Sequence, residues 1–165
     1  MAATTGRNRR LTDEQLEKAL ELAGASDSVE LKLTVPPSER RATVQAIGFD
    51  PIVAQIRQVY FFDTPELALQ NAGLAVRARR VQGREGDTVV KLRPVVPVDL
   101  PDHLRRSKSM VVEVDAMPGG YVCSAALKGR LDNEQIRATV TRGEGPLRKL
   151  FSKEQRALYR AHAPE

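Results

Sequence analysis

Apolar and polar residues alternate over residues 29–35, the period-two pattern of a strand with one covered face, and Pro36-Pro37 ends it. The same alternation runs through residues 74–81 and 88–94. The five residues 83–87 between them predict an antiparallel hairpin. It returns at 110–116, where Pro118-Gly119-Gly120 breaks it, and residues 55–62 read as a further strand. Helices are marked by their starts. Thr12 with Gln15 makes a capping box for a helix carrying Leu16, Leu20 and Leu22 that stops near Gly24. Ser38 is expected to cap a second helix ending at Gly48. Asp63 or Thr64 is expected to cap a short one with Pro65 at its first position and Gly73 at its end. Asp132 with Gln135 and Ser152 with Gln155 predict two more. The pattern is α+β: an antiparallel sheet of five strands with flanking helices and no internal repeat.

Composition changes this picture little. At 165 residues, with 41% hydrophobic and 4% aromatic residues and no Trp, the chain suits one domain with an aliphatic core. Residues 1–27 divide off as a tail containing Arg7, Arg9 and Arg10 followed by the first helix, and residues 28–165 form the domain. No apolar run approaches the roughly 18 residues of a membrane span, and residues 1–10 lack the apolar segment of a signal peptide, so a cytoplasmic protein is expected. The single Cys123 makes no disulfide framework or thiolate metal site, and is expected to be buried and inert. With only His103 and His162 present, a metal would be a hard, oxygen-ligated one. Lys and Arg number 26 against 21 Asp and Glu, an excess that favours anionic partners.

The positions of those charges carry more. Side chains two apart share a strand face. Four segments present a charged pair on one side and aliphatics on the other: Glu30/Lys32, Arg77/Arg79, Lys91/Arg93 and Glu113/Asp115. A solvated sheet face is one reading of this. Such faces, however, mix in Ser, Thr and Gln, whereas here the charged-x-charged unit recurs. A face of both signs suits a polyphosphate, with Arg and Lys on the phosphate oxygens and carboxylates holding a magnesium-like ion. A nucleic-acid surface would want the cations without the carboxylates, together with stacking aromatics, which are scarce.

Residues 28–32 (Ser-Val-Glu-Leu-Lys) resemble the opening ExExK motif of the CYTH superfamily of triphosphate tunnel metalloenzymes, with Ser28 standing at its first acidic position. Residues 59–65 (Val-Tyr-Phe-Phe-Asp-Thr-Pro) and 72–79 (Ala-Gly-Leu-Ala-Val-Arg-Ala-Arg) resemble its next signature. Lys91-Leu92-Arg93 and Glu113-Val114-Asp115 follow in the family's order. The resemblance spans about residues 28–128. It implies a closed antiparallel barrel whose inward charges bind a triphosphate. Lys32, Arg77, Arg79, Lys91 and Arg93 would grip the phosphates, and Glu30, Glu113 and Asp115 would be the catalytic, metal-ligating carboxylates for Mg2+ or Mn2+. Implied activities are hydrolysis of an inorganic or organic triphosphate, adenylyl cyclisation, or binding of a polyphosphate or nucleotide without turnover. Family members continue into further strands, so this barrel is expected to lack its C-terminal strands, with an open edge available to a second copy. His103, Arg40/Arg41 and Gly119-Gly120 read as a solvated loop, a wet helix face and a turn.

Overall fold

The computed structural model describes residues 11–164. The strands are β1 (Ser28–Leu31), β2 (Arg57–Phe62), β3 (Leu74–Val81), β4 (Gly86–Leu92), β5 (Met110–Met117) and β6 (Gly120–Leu131). They form one six-stranded sheet in the order β1-β5-β6-β4-β3-β2. The neighbours pair antiparallel except β1, which runs parallel to β5. The sheet is open, with β1 and β2 at its two edges, and the expected barrel is not formed. Closure needs a hydrogen-bonded register between first and last strands. Here the full width of the sheet separates β1 from β2.

The expectation of five strands missed β6. Cys123, Ser124, Ala125, Ala126 and Leu127 are all buried. A strand covered on both faces loses the polar alternation that reveals it, so this run looked like apolar sequence after a turn. Cys123 is buried and unpaired, as expected.

Helices α1 (Asp13–Gly24), α2 (Arg40–Ala46), α3 (Ala68–Asn71), α4 (Asp102–Arg105), α5 (Asn133–Thr141) and α6 (Lys153–His162) complete the fold. Both capping boxes read from the sequence are present, Thr12 with Gln15 on α1 and Ser152 with Gln155 on α6. Asp132 accepts from the amides of Glu134 and Gln135 to cap α5. The second helix differs: Ser38 lies in a 3-10 turn, and the N-cap of α2 is Glu39 with no side-chain bond. The third begins later than Pro65, yet Asp63 still caps it from outside. Its Oδ1 accepts from the amide of Leu69 at 2.8 Å and its Oδ2 from that of Gln70 at 3.0 Å.

One face of the sheet carries the core. Val76, Ala78, Val90, Leu92, Val112, Val114, Ala125 and Leu127 pack with Leu69 of α3, Ile136 of α5, Phe151 and Leu158 of α6. Ile136 is fully buried, a contribution of about 1.5–3 kcal/mol. Gln155 reaches the same layer, donating to the carbonyls of Thr88 and Leu127 at 3.0 Å each while accepting from the Thr88 hydroxyl, so its buried amide is satisfied. The core ends before β1. Val29, Leu31 and Leu33, expected on a covered face, are exposed, with Leu31 at 78%. The reason is topological: β1 is an edge strand, and α1, which buries no residue of its own, contacts β5 instead. Among the described residues no helix is long and apolar enough to cross a membrane.

Candidate functional site

With Val76, Ala78, Val90, Leu92, Val112, Val114 and Leu127 turned to the core, alternation turns their neighbours to the other face. That face therefore carries Arg77 and Arg79 on β3, Lys91 and Arg93 at the end of β4, Glu113 and Asp115 on β5, and Lys128 and Arg130 on β6. The β1–β5 register sets Glu30 beside Asp115, and Lys32 follows two residues on. A cleft of about 1010 Å3 lies on this face. Among the described residues it is lined by eight cationic side chains and three carboxylates, those of Glu30, Asp87 and Glu113. The charged positions read from the sequence are thus assembled on one side of one sheet.

Asp115 lies beneath them. Its side chain is fully buried, with Lys32 Nζ 2.8 Å from Oδ1, Arg93 Nη2 3.1 Å from Oδ2 and Lys91 Nζ 4.0 Å away. Lys32 is the nearest of the three and stands within hydrogen-bonding distance, and Lys91 and Arg93 add Coulombic attraction. Burial pushes the Asp115 carboxyl upward, but the Lys32 ammonium, with Lys91 and Arg93 behind it, outweighs that and holds it below the usual Asp value. Lys91 is lowered as well, which in a lysine disfavours the charged form. Burial lowers it most, Asp115 and Glu113 oppose, and repulsion from Lys32 and Arg93 adds to the lowering. Glu113 bridges Lys128 at 3.2 Å and Lys91 at 3.9 Å.

At the other end Asp87 plays the corresponding part. Its Oδ2 accepts from Arg79 Nε at 2.7 Å, and its Oδ1 lies 4.0 Å from Arg77 Nη2. Arg77 is lowered from the usual arginine value by burial first and by Arg79 second. Backbone geometry fixes the far corner. Gly73 sits at φ +72°, and a Cβ there would stand 2.6 Å from the Arg93 carbonyl oxygen. The Arg93 amide donates to the Gly73 carbonyl at 2.8 Å. A residue without a side chain is what lets the start of β3 grip the end of β4 and hold Arg93 in place.

The donor set fits a divalent ion only in part. Among the described residues no group of three or more His, Cys, Asp and Glu side chains is placed to hold one. Asp115 is committed to cations on both oxygens. Glu113 and Glu30 are partly or well exposed in the cleft. They suit the mode in which Mg2+ keeps several waters and is held by one or two carboxylates together with a ligand's phosphates.

Sequence reasoning missed Asp87, Lys108, Lys128 and Arg130. The sequence places Asp87 in the hairpin loop, whereas β4 begins at Gly86 and includes it. Lys128-Gly129-Arg130 is itself a charged-x-charged unit, a signal hidden by the unrecognised strand before it. Comparison of the chain with protein-family models, curated proteins and solved structures finds no match.

Proposed function

We propose that this protein binds a triphosphate in the charged cleft and hydrolyses it with Mg2+ or Mn2+. The observation that carries the reading is the gathering of eight cations and three carboxylates in one cleft over one sheet face, Lys108 reaching it from the turn before β5. The net positive charge of that lining opposes the several negative charges of a triphosphate. Arg77, Arg79, Lys91 and Arg93 act on the phosphate oxygens, where guanidinium groups offer paired donors. Asp115 and Asp87 hold those cations apart and aimed, which reduces the reorganisation needed when the anion arrives. Glu113 and Glu30 are the carboxylates for the ion. When bound, it neutralises phosphoryl oxygens and lowers the pKa of a bound water. Among the described residues β1 and β2 are the edge strands, and an edge strand can pair with a second copy; gel filtration of the assayed samples gives the size of the active species.

Phosphate release from inorganic triphosphate and from ATP, with Mg2+ and with Mn2+, tests this. Release is expected to require the metal and to fall at least roughly tenfold in Glu113→Ala. Metal-independent release, or a variant as active as the parent, would remove the reading. The commitment of Asp115 to three cations favours a second reading, a polyphosphate- or nucleotide-binding module without turnover. Tight binding with no release selects it, and a cyclic product from ATP would mark a cyclase instead.

The lowered Lys91 predicts a pH dependence. The charged ammonium is lost as pH rises through its pKa, so affinity for inorganic triphosphate should begin to fall below the ordinary lysine value of about 10.4. Titration calorimetry at several pH values should show the fall moved upward in Lys91→Arg. An unmoved profile assigns it to another group.

A further inference from the structure

We propose that the triphosphate carries a flat organic group, a nucleobase or a ring system of that kind, and that Phe61 is the surface on which it lies. This rests on the reading of the cleft as a triphosphate site. Along β2 the aromatics divide by face. Tyr60 and Phe62 pack against the core, the Phe62 ring edge-on to Phe151 with centroids 5.9 Å apart. Phe61 points the other way, is 71% exposed and lines the cleft. Val59, two residues earlier on the same face, is also exposed. An isolated exposed hydrophobic residue is ordinary on a protein surface. Phe61 differs in standing at the margin of a cationic cleft, directly across from Arg77 in the β2–β3 register.

Position supplies the polarity of the ligand. Neighbouring strands lie about 4.8 Å apart, so Phe61 is one strand from Arg77 and two from Lys91. A phosphate chain lying over β3 and β4 presents its substituent at β2. The opposite margin, at β1, offers Glu30 and Lys32, which suit the ion and the phosphates rather than a ring. Because every base has a stacking face, an aromatic platform is tolerant of base identity. Arg77 beside the ring adds a guanidinium plane to the same contact.

Binding of ATP and of inorganic triphosphate is measured by calorimetry on the full chain and on Phe61→Ala, a change at an exposed position. The expected result is an ATP affinity about tenfold weaker in the variant, with inorganic triphosphate unaffected. The chain contains no Trp, so Phe61→Trp puts its one Trp on the platform, where selective excitation reads it apart from the tyrosines. ATP should quench it, and inorganic triphosphate should not. If Phe61→Ala changes both ligands equally or neither, or if ATP leaves the Trp emission untouched, the platform is overturned while the cleft stands. If the parent chain binds neither ligand, the cleft reading fails and takes the platform with it.

Discussion

Asp115→Asn should lower the melting temperature at neutral pH by about 2–12 °C. The substitution keeps the shape but deletes the buried charge that Lys32, Lys91 and Arg93 share, leaving Lys32 with Glu30 at 3.6 Å and Lys91 with Glu113 at 3.9 Å. Leaving a buried charge unpaired costs about 3–5 kcal/mol. Here the stranded partners are the cations, whose side chains are 40%, 22% and 40% exposed, so they can turn partly into water. That reduces the expected loss to about 1–3 kcal/mol, and each kcal/mol corresponds to roughly 2–4 °C in a chain of this size. The pH dependence has a defined sign. The folded Asp115 carboxyl titrates below its unfolded value. Its contribution is therefore fully present above about pH 4 and is lost as pH falls through the lowered pKa. Parent and variant should converge on acidification, as followed by thermal unfolding. Inorganic triphosphate, which supplies replacement anions, should recover part of the loss in the variant. Equal melting temperatures at neutral pH, or a gap that widens in acid, would show that Asp115 does not clamp these cations.

The double variant Lys91→Ala/Arg93→Ala should lose inorganic triphosphate binding by about 10²- to 10⁴-fold. A hydrogen bond to a charged group contributes about 1.5–3 kcal/mol, and two are removed together. Lys32 remains at 2.8 Å from Asp115, so the buried carboxylate keeps a partner and the fold should survive. Arg142→Ala is the control. That side chain pairs with Glu134 and Glu144, outside the cleft, and its removal should leave binding unchanged. Calorimetry of the three proteins decides it. A double variant that binds within threefold of the parent would place the phosphates elsewhere.

Local signals in the chain were legible because their causes are local. The capping boxes at Thr12 and Ser152 need only three residues of spacing, and the alternation of β3, β4 and β5 follows from one covered and one open face. Those strands brought Arg77, Arg79, Lys91, Arg93, Glu113 and Asp115 to one side, as their spacing implied. What failed depends on contacts distant in sequence. β6 is central, covered on both sides and so without alternation. The parallel pairing of β1 with β5 joins residues about 85 apart and leaves no periodic trace. Val29, Leu31 and Leu33 have the pattern of a buried face, but pattern does not supply a covering layer. The same blindness applied to charge: Asp115 was read as a metal ligand, and its enclosure by Lys32, Lys91 and Arg93 emerges only once β1, β4 and β5 are set side by side.

The most direct test of the central claim is a calorimetric titration of inorganic triphosphate into the purified chain, beside pyrophosphate and orthophosphate at the same ionic strength. A cleft whose cations extend over several strands predicts saturable binding of one triphosphate per chain, with affinity rising steeply from orthophosphate through pyrophosphate to triphosphate. No saturable heat, or equal affinity for all three anions, would contradict it.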